Sequence, residues 1–353
     1  MLKSIKILRA IAALLVVFYH SQTLIIAKNF TQYTYTNLGA SGVDIFFVLS
    51  GFVMIYVSYD HFRLPHSSLN FLRNRITRIV PTYYLFISFS TFMLILNLKF
   101  DLKLIITSYL FILSSNNAGQ VTTLVGGGWT LCFEAFFYAV FAILLRFKRK
   151  YLLPSLTSVF IIGNLVRIIF GNPYPWAEVV TNPLVFEFLF GCCIGMLYKN
   201  GKELSKTICV LMIAIGTIWI YLASGMGMVT NALAPMRVYA WGIPSAFIVA
   251  GTIFLEKQVE FKVPRIILLI ADSSFSIYLI NLYVIRYIEL ATRIVLSKIY
   301  LPSISILIIS IVICSISGVL CYYIYERTVT DLLKNYRKAL KADGETQFLS
   351  QSV

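Results

Sequence analysis

The stretch LRAIAALLVVFYH (8–20) decides how this chain is read. It is an apolar run with one arginine, Arg9, near its start and one histidine, His20, at its end. The run extends over roughly residues 7–27. About 20 apolar residues are what a helix needs to cross a hydrocarbon core about 30 Å thick. Arg9 and His20 are 11 positions apart. At 100° per residue that is about 20° from three full turns, which puts both side chains on one face about 16 Å apart along the axis. Ionisable groups at such depth are costly, face the protein interior and mark function. The competing readings are a snorkelling anchor for Arg9 and a satisfied polar residue near the boundary for His20.

The same block length recurs along the chain. Of 353 residues, 59% are hydrophobic and 13% charged, against about 45–50% and about 25% in soluble domains. Candidate spans are 7–27, 42–59, 79–98, 128–146, 151–170, 182–198, 207–224, 237–255, 266–285 and 303–325. The expected fold is an all-α, polytopic membrane bundle of about ten transmembrane helices. One membrane domain covers 1–326, and 327–353 is a short polar cytoplasmic tail. The N-terminal segment carries Lys3 and Lys6 without a small-residue cleavage site, so it reads as a retained first helix. The segment 104–114 is apolar but short, and is expected not to span.

The net charge of +15 would suggest nucleic acid on a soluble protein, but no aromatic-basic reading surface accompanies it. Ten spans with both termini inside place 21 Lys and Arg in inside loops and 7 in outside loops, the bias that fixes topology. The six cysteines fall in apolar blocks, with no spacing for zinc and no disulfide framework; no metal is expected.

Further polar groups interrupt the apolar blocks. GASGVDIFFVLSGFVM (39–54) opens its span with Asp44, at the same level as His20, where a carboxylate would orient an imidazole and raise its basicity; it could equally cap the helix. Gly51 lies close to the same face and lets a neighbour pack tightly. FLRNRITRIVP (71–81) sets Arg73, Arg75 and Arg78 ahead of Pro81, a spacing suited to gripping phosphates or lipid headgroups. GGGWTLCFEAFFYAVF (126–141) places Glu134 inside a span with Tyr138 one turn on, and a carboxylate there needs a partner such as Arg9, Arg75 or Arg78. Its glycine run is a flexible entrance or a close approach, not a phosphate loop. NPLVFEFLFGCCIG (182–195) carries Glu187, read as pore-facing, with Gly191 and Gly195 as a packing stripe. ADSSFSIYLIN (271–281) sets Ser274, Tyr278 and Asn281 on one face, likewise read as pore-facing. The set suggests donor entry from the arginine side and a base near the other. The base takes a proton from an acceptor hydroxyl that attacks a thioester, or His20 carries the acyl group itself.

Six ordered blocks resemble the membrane acyltransferase family called type 3, in its exopolysaccharide-production (ExoZ-like) branch. They are Arg9 and His20, GVDIFFVLSGF (42–52), Arg75 and Arg78 before Pro81, WTLCFEAFFYAVF (129–141), NPLVFEFLFG (182–191) and SFSIYLIN (274–281), within about 1–328. The resemblance implies a bacterial inner-membrane O-acyltransferase with a cytoplasmic acyl-CoA donor, commonly acetyl-CoA, as co-substrate and no resident cofactor. Its implied acceptor is a polysaccharide or lipid-linked sugar. It implies His20 and Arg9 as essential, Asp44 and Glu134 as supporting, and Arg75 and Arg78 on the donor side; Arg73, Trp129 and Tyr138 are expected beside them as donor-binding residues. Two positions depart from the family pattern: Asn281, where the late block often ends in histidine, and Thr328, where the closing motif has proline. A transporter for a lipid-linked glycan is the rival reading, since buried charges also line substrate paths; no inverted repeat with broken helices supports it.

Overall fold

The computed structural model describes residues 2–26, 36–98, 100–116, 119–171, 174–229, 231–295 and 303–350. It is a bundle of α1 (Lys3–Ile26), α2 (Gly42–Ser58), α3 (Ser67–Leu96), α4 (Leu102–Tyr109), α5 (Trp129–Leu144), α6 (Leu152–Phe170), α7 (Glu178–Thr181), α8 (Val185–Lys199), α9 (Lys206–Gly225), α10 (Ile243–Leu255), α11 (Arg265–Asp272), α12 (Ser274–Val295), α13 (Ser303–Cys321) and α14 (Arg327–Ser350). A two-residue hairpin, β1 (Ser114–Ser115) and β2 (Val121–Thr122), precedes α5. Lys28, Lys99 and Lys298, counted above with the outside loops, lie outside the described residues.

Each of the ten expected spans coincides with a helix. Among the described residues eight segments are long and apolar enough to cross a membrane, and α11 with α12, bent by 74°, makes a ninth. The remaining one, α5, has 16 residues and reaches about 24 Å at 1.5 Å per residue. The 104–114 segment holds only the eight-residue α4, which is too short to cross. This is a multi-pass membrane protein.

Burial separates centre from rim. In α2, 78% of the apolar window is buried, whereas in α6 and α9 the figure is 22%. The outward Ile162, Ile168, Leu211, Ile218 and Ile308 form an apolar belt that water would not tolerate and lipid does. α2 is held centrally by α8, and small residues bring the two backbones together. A Cβ on Gly51 would lie 2.0 Å from the Phe188 carbonyl oxygen, and one on Gly191 2.0 Å from that of Val48. Gly195 meets Ile55 in the same seam, so the small-residue stripe read from sequence is the α2–α8 interface. Phe188 stacks between Phe47 and Phe137, each at 4.6 Å, and anchors the aromatic core. α1 packs against α2, α11, α12 and α13, which carries Arg9 and His20 along the inside of the bundle.

Candidate active site

Two cavities lie along α1, one at the level of Arg9 and one at the level of His20. The Arg9 cavity is lined by Arg9, Ser50, Arg75, Arg78, Glu134 and Tyr138, together with Ser274 and Tyr278. α3 supplies two guanidiniums because Arg75 and Arg78 are three residues apart and share a face. α5 supplies the acid and phenol one turn apart for the same reason. Glu134 accepts from Ser50 Oγ at 2.8 Å and from Tyr138 Oη at 3.0 Å. Hydroxyls are thus its hydrogen-bond partners, and the guanidiniums of Arg9 and Arg75 face it through the cavity. Arg9 donates to Ser274 Oγ through Nε at 3.2 Å and Nη2 at 2.7 Å. Arg75 lies over the rings of Phe71 (5.5 Å) and Tyr138 (5.8 Å), and its buried Nε has no hydrogen-bond partner. Glu326, buried in a π turn (Tyr322–Glu326) after α13, accepts from Ser276 and faces Arg9 and Arg78. Three guanidiniums and one carboxylate, Glu134, line the cavity, and the unpartnered Arg75 Nε fits an anion with several acceptor oxygens.

The His20 cavity lies between Tyr19, His20, Trp129, Arg237 and Trp241 and the Gly126–Gly127 turn. The imidazole meets the Tyr19 ring edge-on at 5.0 Å. Asn231 and Ala232 also line a neighbouring cleft of about 970 Å³ that reaches Arg167 and Glu178, which are ion-paired at 2.8 Å. The two spaces make an elongated surface at this end of the bundle. Its aromatic walls and amide groups suit a polar ligand with apolar faces.

Several expectations need correction. Asp44 is engaged by a guanidinium, not by the imidazole it was expected to orient: Arg237 Nε meets its Oδ1 at 2.9 Å and Nη2 its Oδ2 at 2.8 Å, both groups fully buried. Arg237 also donates to the Ala40 carbonyl at 2.7 Å and sits under Trp241 (4.9 Å) and Trp129 (5.7 Å). It is the site residue that sequence reasoning passed over, counted there as one outside-loop charge. Glu187 lines neither cavity: it is buried against Gly242 and faces Asp44 and Arg237. Trp129 belongs to the His20 cavity and not to the arginine one. Arg73 is exposed on α3, whereas Arg75 and Arg78 turn inward. Asn281 is buried with its amide on the Ile277 and Tyr278 carbonyls, again off both cavities. The glycine run is a close approach: a Cβ on Gly127 would meet the Tyr278 ring at 3.1 Å, and one on Gly128 the Tyr83 hydroxyl at 2.6 Å.

The arginine-lined cavity and the histidine-lined one lie on a single apolar bundle. The family profile described as Acyltransferase domain matches residues 2–325. The chain belongs to this acyltransferase family. The exopolysaccharide production protein ExoZ of Rhizobium meliloti (strain 1021) is 30% identical over 264 residues, covering 72% of this chain and 79% of its own length. No solved structure matches the chain. The protein is therefore a membrane acyltransferase.

Proposed function

We propose that this acyltransferase moves an acyl group, acetyl being the first choice, from acyl-CoA in the Arg9 cavity to a hydroxyl of an exopolysaccharide or its lipid-linked precursor in the His20 cavity. The observation that carries the reading is the contact of the two cavities: both are lined by Val43 and Tyr278. Arg75, Arg78 and Arg9 grip the donor's phosphates in charge-assisted hydrogen bonds. The thioester points toward the junction. His20 takes the proton of the acceptor hydroxyl, whose oxygen forms the ester bond to the acyl carbon. The carbon–sulfur bond breaks, and the thiolate of CoA leaves and takes up the proton. Arg237 holds Asp44 and the start of α2, and so positions the wall opposite His20.

The excess of basic residues in the loops on the Arg9 side supports a cytoplasmic Arg9 cavity, cytoplasmic termini and a bacterial inner membrane. The elongated cleft beside His20 supports a polymeric or lipid-linked sugar acceptor, and the exopolysaccharide production for which the Rhizobium relative is named agrees with it. Membrane lipids surround the belt. The test is binding of acetyl-CoA to the protein in nanodiscs. The wild type should bind with a Kd that rises about tenfold on Arg75→Gln, the size of one charge-assisted hydrogen bond. Equal binding by wild type and an Arg75→Gln/Arg78→Gln double variant would contradict a donor site there.

A further inference from the structure

Only a thin partition separates the two cavities, and Tyr278 is its largest part. Its hydroxyl donates to the Gly127 carbonyl at 2.9 Å and lies 3.0 Å from Thr130 Oγ1, which itself reaches the Gly127 carbonyl at 3.0 Å. Gly127 lines the His20 cavity and Thr130 the Arg9 cavity, while the Tyr278 ring borders both. The ring is wedged between Val43 and the Gly126–Gly128 turn, with the Phe46 ring edge-on at 6.2 Å. No side chain of the turn stands against it, because a Cβ at Gly127 would press on the ring itself. Tyr278 and Val43 are the two residues that line both cavities, so the Tyr278 ring stands where the cavities meet.

We propose that Tyr278 is the gate between the two cavities, latched shut on the Gly127 carbonyl and displaced when the acyl arm of the donor crosses. The crossing rests on the acyl-transfer reading; the barrier does not. On this account a bulkier acyl group holds the ring aside longer, and residue 278 sets the size of group that passes.

The barrier is tested without any acyl chemistry. The six native cysteines are replaced and a single cysteine is placed on the Arg9 cavity wall by Val53→Cys. A charged, membrane-impermeant thiosulfonate is then added from the His20 side of sealed vesicles. With Tyr278 present, modification should be slow. It should be at least about tenfold faster with Tyr278→Ala. With Tyr278→Phe, which keeps the ring and the packing, it should be roughly fivefold faster, the size expected for one lost hydrogen bond. Modification from the Arg9 side should be alike in all three, which controls for folding. Rates from the His20 side that are the same in all three proteins overturn the gate. If rates follow the prediction but the wild type transfers no acyl group, the gate stands and the acyl-transfer reading falls. If the wild type transfers acyl groups and the rates do not depend on residue 278, the gate falls alone.

Discussion

At the scale of single residues, the Arg237–Asp44 pair carries the largest local energy. Both partners are fully buried and doubly hydrogen-bonded, and Glu187 lies behind them. Removing one partner strands the other's charge, which costs about 3–5 kcal/mol, whereas removing both costs less. Arg237→Ala and Asp44→Ala should each lower thermal stability in detergent by that amount, and the double variant should recover part of it. Singles as stable as the wild type would contradict the pairing. A second contrast lies on α3. Arg75→Gln should raise the donor KM about tenfold, whereas Arg73→Gln, at an exposed position, should leave it unchanged in the same assay. Equal effects would return Arg73 to the site.

These residues also show what a sequence can disclose. Arg9 and His20 were legible because both lie on one helix, where 3.6-residue periodicity converts spacing into a shared face. Arg75 and Arg78 were legible as a cluster, but the periodicity that turns them inward also turns Arg73 out, and that was not applied. Arg237 and Asp44 are 193 positions apart, and no local period links them. The one usable signal was a lone arginine among apolar residues immediately before a span, and a count of loop charges absorbed it. Glu187 and Asn281 show the converse: a polar residue in an apolar helix was assigned to a pore, while packing had placed it in a core contact.

At the scale of elements, the helices followed from apolar block length, and every expected span is helical. Two features were hidden. The break between α11 and α12 falls at Asp272–Ser274, a short polar cluster between two apolar runs read as one span, and it sets the start of α12, with Ser274 and Tyr278, on the cavities. The expected span 128–146 outruns α5 by Gly128 at its start and by Leu145 and Arg146 at its end, which lie outside the helix. The α2–α8 seam gives a sharp prediction. Gly191→Ala puts a methyl group 2.0 Å from a backbone oxygen, which neither helix can yield without parting. It should cost at least about 2 kcal/mol and reduce the folded yield. Gly225→Ala at the end of α9, where nothing lies within 4 Å, should stay within about 0.5 kcal/mol of the wild type. Fluorescence-detected size exclusion after graded heating measures both.

At the scale of the whole molecule, the bundle solves a transport problem and a chemical one together. In the proposed reaction a charged donor and a sugar acceptor occupy separate polar cavities, each lined from several helices. His20 stands toward one end of α1 and Arg9 near the other, so on that reading a single helix fixes the distance across which the acyl group is passed. The central claim is that this pair serves acyl transfer and not export of the glycan. The direct measurement is NMR of O-acyl groups on the surface polysaccharide of cells carrying the wild type, His20→Ala or Arg9→Ala at matched membrane levels. The account predicts that O-acyl signals disappear in both variants while the amount of polysaccharide is unchanged. Normal acylation in either variant, or loss of the polysaccharide itself, would contradict it.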